Sequence, residues 1–266
     1  MTRLLHLSMA AAAAFAVAST ARAQDIAQRV SAVPNGTVEL RFASRPGVCG
    51  NGDEGISVGR SMHMGRYDAD DASYCEPGPV RVRLRMEDGA VRDIRTSVGR
   101  PAQRASGERT TDLGPVPAAD AAAYFLELAK TASSHVSNAA ITPAILADSV
   151  YPWRELLTIA RDTATRSRGT RSSAALWLSR FAGARMSGHE NDLSDPDDEP
   201  RSDESEARTS AVFALSQLRN HEGVPPLLQV AQTNRDARVR RSALFWLGQS
   251  GDPRALELFE RILGPR

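Results

Sequence analysis

The chain has 266 residues, 41% of them hydrophobic, enough to build a sizeable core in one elongated unit or two compact ones. Its formal net charge of +1 excludes the strongly basic composition of an indiscriminate nucleic-acid binder. Nearly every cation is arginine, since Lys130 is the only lysine.

Taken in chain order, the first feature is an N-terminal leader. Arg3 precedes an apolar run from Met9 to Val17, and Ala21-Arg22-Ala23 then supplies a small-x-small cleavage site. We expect residues 1–23 to be a signal peptide, with the mature chain starting at Gln24 and residing in the periplasm or outside the cell. The stretch from Leu4 to Ala18 is shorter than the roughly 20 apolar residues a membrane span needs. No later segment is apolar enough to replace it, so no integral membrane segment is expected in the mature chain. The residue after the cleavage site is Gln24 and not a cysteine that could carry an acyl anchor. Loss of Arg3 and Arg22 with the leader takes the formal charge from +1 to −1.

Residues 24–112 read as a small antiparallel β region. Val38, Leu40 and Phe42 alternate with polar residues, and Val80, Val82, Leu84 and Met86 alternate with Arg81, Arg83 and Arg85. Asp88-Gly89 supplies a hairpin turn into a strand over Val91 to Thr96. The arginine row suits a solvated strand face that resists edge pairing. Cys49 and Cys75 are the only cysteines, and in an oxidising compartment such a pair forms a disulfide. The competing reading is a metal site that adds His63, but the CxxC or paired-histidine spacing of such sites is missing. Gly55-Ile56-Ser57-Val58-Gly59 has the form of a nucleophile elbow. That motif needs a strand, a strained turn and a helix inside a large parallel sheet, a context absent here.

From Gly99 to Pro117 the composition is that of a linker, and the register then changes to helical over 113–266. Ala121, Tyr124, Phe125 and Leu128 predict a first helix, a second is expected near Ile141 to Ala147, and a third over Pro152 to Arg161. Beyond these lies an internal repeat. Ser210-Ala211-Val212-Phe213-Ala214-Leu215-Ser216-Gln217 returns 32 residues later as Ser242-Ala243-Leu244-Phe245-Trp246-Leu247-Gly248-Gln249. Val224, Leu227 and Val230 align with Leu256, Phe259 and Ile262, so the unit is a helix pair. An earlier copy of its first helix is Ser173-Ala174-Ala175-Leu176-Trp177-Leu178-Ser179. Four successive apolar residues leave such a helix little polar face. Neighbours must cover it on more than one side, and successive pairs are expected to stack.

Asp236-Ala237-Arg238-Val239-Arg240-Arg241-Ser242-Ala243 and Gly251-Asp252-Pro253-Arg254-Ala255-Leu256 resemble the turns and helix starts of bacterial HEAT repeats, particularly the short subtype related to the phycobilisome lyase repeats. The resemblance is specific over about residues 171–263, weaker over 118–162 and absent from the β region. It implies a mostly α protein, a HEAT-like α-solenoid preceded by the small antiparallel β region, acting by binding another protein. By register, the family's basic position falls on Arg171, Arg208 and Arg240, and the resemblance implies a polar ladder between repeats for these three.

Between the first and second repeat copies, residues 186–206 form an acidic insertion, expected to be a mobile solvated loop. Asp192, Asp195 and Asp197 lack the ligand order and glycine of an EF-hand. His189-Glu190 begins like a zinc-protease helix but meets Leu193 where the second histidine would stand. No catalytic residue, metal site or cofactor is expected. Trp177 and Trp246, at equivalent repeat positions, and Gln217 and Gln249 beside them are the candidate interaction residues, although core packing competes for the tryptophans. The leading function is that of an exported protein-interaction scaffold with a partner of unknown identity. A lyase-like or hydrolytic enzyme is the alternative. Third comes nucleic-acid binding by the arginine cluster at 161, 166, 168, 171, 180 and 185, which the charge balance disfavours.

Overall fold

The computed structural model describes residues 25–53, 55–59, 62–64, 75–100, 109–188, 193 and 203–265. The expected leader and most of the acidic insertion lie outside the described residues. Among the described residues, no helix is long and apolar enough to cross a membrane.

After a short helix, α1, over residues 25–31, the chain builds two sheets. The first has the order β7-β6-β1-β8, from β1 (Gly36–Phe42), β6 (Val80–Glu87), β7 (Ala90–Val98) and β8 (Thr110–Pro115). β6 and β7 form the expected hairpin. Its turn residues, Asp88 and Gly89, have φ of 52° and 71°, the left-handed pair that matches strand twist. Alternation decides the faces: Val38, Leu40 and Phe42 pair in register with Leu84, Val82 and Val80, and all six are buried. The opposite face carries ion pairs, including Arg83 to Glu39 at 3.4 Å and Arg41 to Asp112 at 3.1 Å. The second sheet, β4-β3-β2-β5, joins short strands: β2 (Val48–Gly50), β3 (Ile56–Val58), β4 (Met62–Met64) and β5 (Glu76–Pro77).

Two expectations for this region are corrected. The stretch expected to be linker contains β8, and the sheet is not wholly antiparallel, because β8 pairs in parallel with β1. Thr110–Pro115 shows no apolar alternation because none of its residues is buried, and its place at the sheet edge lets it end on proline. The expected boundary at 112/113 falls inside this strand.

The buried face of the first sheet is covered by helices from beyond that boundary. α2 (Ala118–Thr131) places Phe125 against Phe42 at a ring-centroid distance of 6.2 Å, and α3 (Ser134–Leu146) packs on β7 and β6. α3 begins well before the expected Ile141, in a polar segment whose apolar residues are only Val136, Ala139 and Ala140. Backbone hydrogen bonds Arg45 N to Leu146 O and Asp148 N to Ala43 O tie the end of β1 to the end of α3, both at 2.9 Å. At this junction Arg45 is buried. Its Nη2 donates to Val150 O at 2.8 Å, and its guanidinium lies 5.7 Å from the Tyr151 ring and 5.3 Å from that of Phe181.

The remaining helices are α4 (Trp153–Arg161), α5 (Arg168–Met186), α6 (Asp203–Ser216), α7 (Val224–Thr233), α8 (Ala237–Ser250) and α9 (Pro253–Leu263). Side-chain caps start three of them. Ser167 accepts from Thr170 N, Asp236 from Arg238 N and Asp252 from Arg254 N. Their layering departs from the expected stack of successive pairs. α5 packs most extensively against α8 and also contacts α9, whereas α6 and α7 contact α8 from elsewhere, and α4 reaches α9. The pair α8/α9 therefore sits between α4/α5 and α6/α7, and the last repeat in the chain is the middle layer. Burial follows this order. α8 buries Val239, Ala243, Leu244 and Leu247 together with Arg238 and Arg241, as a helix covered on several sides must. In α6 Val212 is buried, but Phe213 is 48% exposed, which fits a terminal layer.

Candidate functional site

Out-of-order layering leaves a groove where the start of α5, the turn between α6 and α7, and the end of α8 meet. Two adjoining cavities of about 520 and 150 Å³ share Arg168, His221 and Ser250 as lining residues. Leu215, Val224, Leu227 and Leu247 provide apolar floor, and Gln217, Trp246 and Gln249 stand along the larger cavity. Three of the four candidate interaction residues thus come together. The fourth, Trp177, does not: it is 2% exposed and belongs to the core. Its repeat equivalent Trp246 is half-buried, its ring 5.1 Å from Phe213 and 5.0 Å from Phe245. Equivalent sequence positions diverge because α5 and α8 occupy different layers.

The turn that closes the groove is unusual. Leu218 leads into a single 3-10 turn, Arg219–His221, in which Asn220 and His221 have φ of 55° and 60°. Asparagine tolerates this left-handed conformation, whereas histidine adopts it at a cost of about 1–2 kcal/mol. Gly223 follows because a Cβ there would stand 1.8 Å from Leu215 O, so the chain reverses only with glycine at this point. His221 Nδ1 lies 3.6 Å from Asp252 Oδ2, and Arg254 grips the same carboxylate at 2.9 and 2.8 Å. The Arg254 hydrogen bond leads the effects that hold the Asp252 carboxyl below its usual range, with His221 adding a smaller one. Neutralised in this way, Asp252 leaves the groove a cationic end: among the described residues, Arg168 makes no hydrogen bond or ion pair.

Two of the repeat-register arginines form local clamps. Arg171 donates to Arg166 O at 2.7 Å, and Arg240 to Asn234 O and Arg235 O at 2.8 and 2.9 Å, so each ties its own helix to the turn before it. Neither bond crosses to another repeat. Arg208 is exposed. Of the arginine cluster weighed as a phosphate surface, all but Arg168 are engaged: Arg171 as above, Arg161 with Glu260, Arg166 with Ala132 O and Ser137 Oγ, Arg180 with Leu193 O, and Arg185 with Gly264 O. The Leu193 bond also bears on the acidic insertion. Leu193, within the insertion, is 1% exposed and its carbonyl accepts from Arg180 of α5, so at that point the insertion is pinned to the helical core.

Cys49 and Cys75 form a disulfide, joining β2 to the residue before β5, and the alternative metal reading of these cysteines therefore falls. Among the described residues, no group of three metal-ligating side chains exists. Ser57 lies at the centre of β3, buried and in register with Cys49 and His63 of the flanking strands, not at a strand-to-helix turn. Sequence reasoning missed Arg168, His221 and Asp252 as groove residues. The consecutive left-handed Asn220 and His221 carry no repeat signal that would have found them.

Residues 200–265 match the family of HEAT repeats, which supports a HEAT repeat domain in the chain. No curated protein and no solved structure matches it.

Proposed function

We propose that the chain is an exported, non-enzymatic scaffold that binds a protein partner through the groove between its helical layers, its C-terminal half working as a short HEAT-like α-solenoid. The observation that carries this reading is the gathering of Gln217, Trp246 and Gln249 on one groove with Arg168 at its end. Two exposed amides beside a half-buried indole suit the backbone of an extended peptide, since glutamine both donates and accepts while tryptophan supplies contact area at little entropic cost. An acidic side chain of that peptide would meet Arg168. HEAT repeats commonly serve as interaction scaffolds, and the match to that family points the same way. Export draws support from the leader pattern and from the disulfide, which is compatible with an oxidising compartment.

The test is site-specific photo-crosslinking in the native cell envelope. A photoreactive residue at Gln217 or Gln249 should yield the same discrete adduct. One at Arg95, 74% exposed on the sheet, should not. Adducts that form equally well from Arg95, or that survive Trp246→Ala and Arg168→Glu undiminished, would remove the groove from the interaction.

A further inference from the structure

Among the described residues that border the groove, His221 is the one imidazole, and its backbone is held where such a side chain is costly. Its φ of 60° lies in the left-handed region, directly after Asn220 at 55°. Asparagine would fill this position with less strain, and strain of this kind collects at switches and ligand clamps. The side chain is 53% exposed and borders the same two cavities as Arg168.

Few charged groups face it. From α9, Asp252 Oδ2 lies 3.6 Å away and is itself gripped by Arg254. α5 contributes Arg168 and Arg171, the second clamped to Arg166 O. The turn itself adds Arg219 and Glu222, while α7 and α8 bring no charged side chain to either lining. Arginines keep their charge across the accessible range. The Asp252 carboxyl is held below its usual range by Arg254, so it is ionised above about pH 4. Imidazoles, by contrast, change charge between about pH 5 and 8. A proton on the ring therefore sets a second cation beside Arg168 without altering the other charges around it.

We propose that His221 makes partner binding at the groove pH-dependent, so that an acidic peptide is held more tightly in acid than in alkaline surroundings. This rests on the reading of the groove as a peptide site and adds its regulation. The same proton turns the contact with Asp252 into an ion pair, which steadies the turn that closes the groove. Half-exposed pairs gain little, so the expected change in affinity is roughly two- to fivefold, and salt should reduce it.

The test uses the full chain with a photoreactive residue at Gln249, crosslinked in the native cell envelope at about pH 5.5 and about pH 8, where peptide carboxylates are ionised at both values and imidazoles are charged at the lower only. The adduct should form roughly two- to fivefold more at the lower pH. His221→Asn, which suits the left-handed turn, should give equal yields at both. His221→Arg keeps a cation at both and should give the higher yield throughout. Equal yields from the native chain, or a pH difference that survives in His221→Asn, would overturn the role of His221 and leave the groove in place. Absence of any adduct from Gln249 at either pH would overturn both readings.

Discussion

Two glycines at the α5–α8 interface offer a direct test of the layer order, because the same substitution should act in opposite directions. Gly248 lies in the last turn of α8, where a Cβ would stand 2.9 Å from both Cβ and Oγ of Ser179 and 3.0 Å from Ala175 O. At Gly183 in α5 the nearest neighbour of a new Cβ would be Arg241 Cγ at 3.5 Å, an ordinary contact with a flexible side chain. Replacing glycine by alanine inside a helix gains up to about 1 kcal/mol of propensity. Gly183→Ala should keep most of that gain. Gly248→Ala must also push apart two packed helices, one of the close neighbours being backbone, and overpacking costs about 1–3 kcal/mol. With the full propensity gain set against that cost, the net expectation for Gly248→Ala is a loss of up to about 2 kcal/mol. For a chain of this size that lowers the melting temperature by up to roughly 8 °C, whereas Gly183→Ala raises it slightly. Thermal and urea melts followed by circular dichroism read both. In a stack of successive pairs the end of α8 would not meet α5. If Gly248→Ala stabilises the chain, or both variants move the same way, the layer order is wrong.

Replacing Cys49 and Cys75 by serine should cost about 3 kcal/mol, since the bridge closes a loop with a sequence separation of 26, and the urea melt of the native chain should match that of the variant with reductant and exceed it without. Arg45 is buried with Nε and Nη1 unsatisfied, and burial lowers its pKa, so its charge is poorly compensated. Arg45→Met should change stability by no more than about 1 kcal/mol, whereas Arg45→Asp, which puts a carboxylate in the same apolar place, should prevent folding; melts and expression in soluble form decide. Asp252 caps α9, and Asp252→Ala should cost about 1 kcal/mol at neutral pH. Its carboxyl titrates below the ordinary 3.8, so its charge contributes fully above about pH 4 and that contribution is lost as pH falls through the lower native value. The acid side of a stability–pH profile should therefore be shallower in Asp252→Ala.

The parts legible in the sequence were those whose physics is local. Alternating Val80, Val82 and Leu84 specified a half-buried strand, Asp88-Gly89 specified its turn, and the 32-residue recurrence specified the helix pairs. β8 has the composition of a linker because it is held by backbone pairing to β1 and buries no side chain of its own. The start of α3 is hidden in the sequence because residues 134–139 bury only Val136 and Ser137 and carry little amphipathic signal. The groove was legible by halves: Gln217, Trp246 and Gln249 stand out through the repeat, while Arg168, His221 and Asp252 join them only because of which helices become neighbours.

That neighbour relation is where sequence periodicity stops being informative. A repeat announces that each helix pair needs a partner, but any copy with a suitable face will serve, and connection length limits which copies can reach. Among the described residues no second helix follows α5 before residue 203, and its apolar side, including Trp177, Leu178 and Phe181, is covered by a pair from later in the chain. α8 offers Gly248 for close approach, Phe245 under the Arg180 guanidinium at 5.6 Å, and the stem of Arg241 beside Gly183, whereas the equivalent positions in α6 are Ser216, Phe213 and Thr209. The better-fitting copy takes the middle place, and the chain between α5 and α6 is long enough to let α6 pass to the far side. The groove between Trp246 and Arg168 follows from that exchange, because a stack in chain order would place α6 where α8 now meets α5.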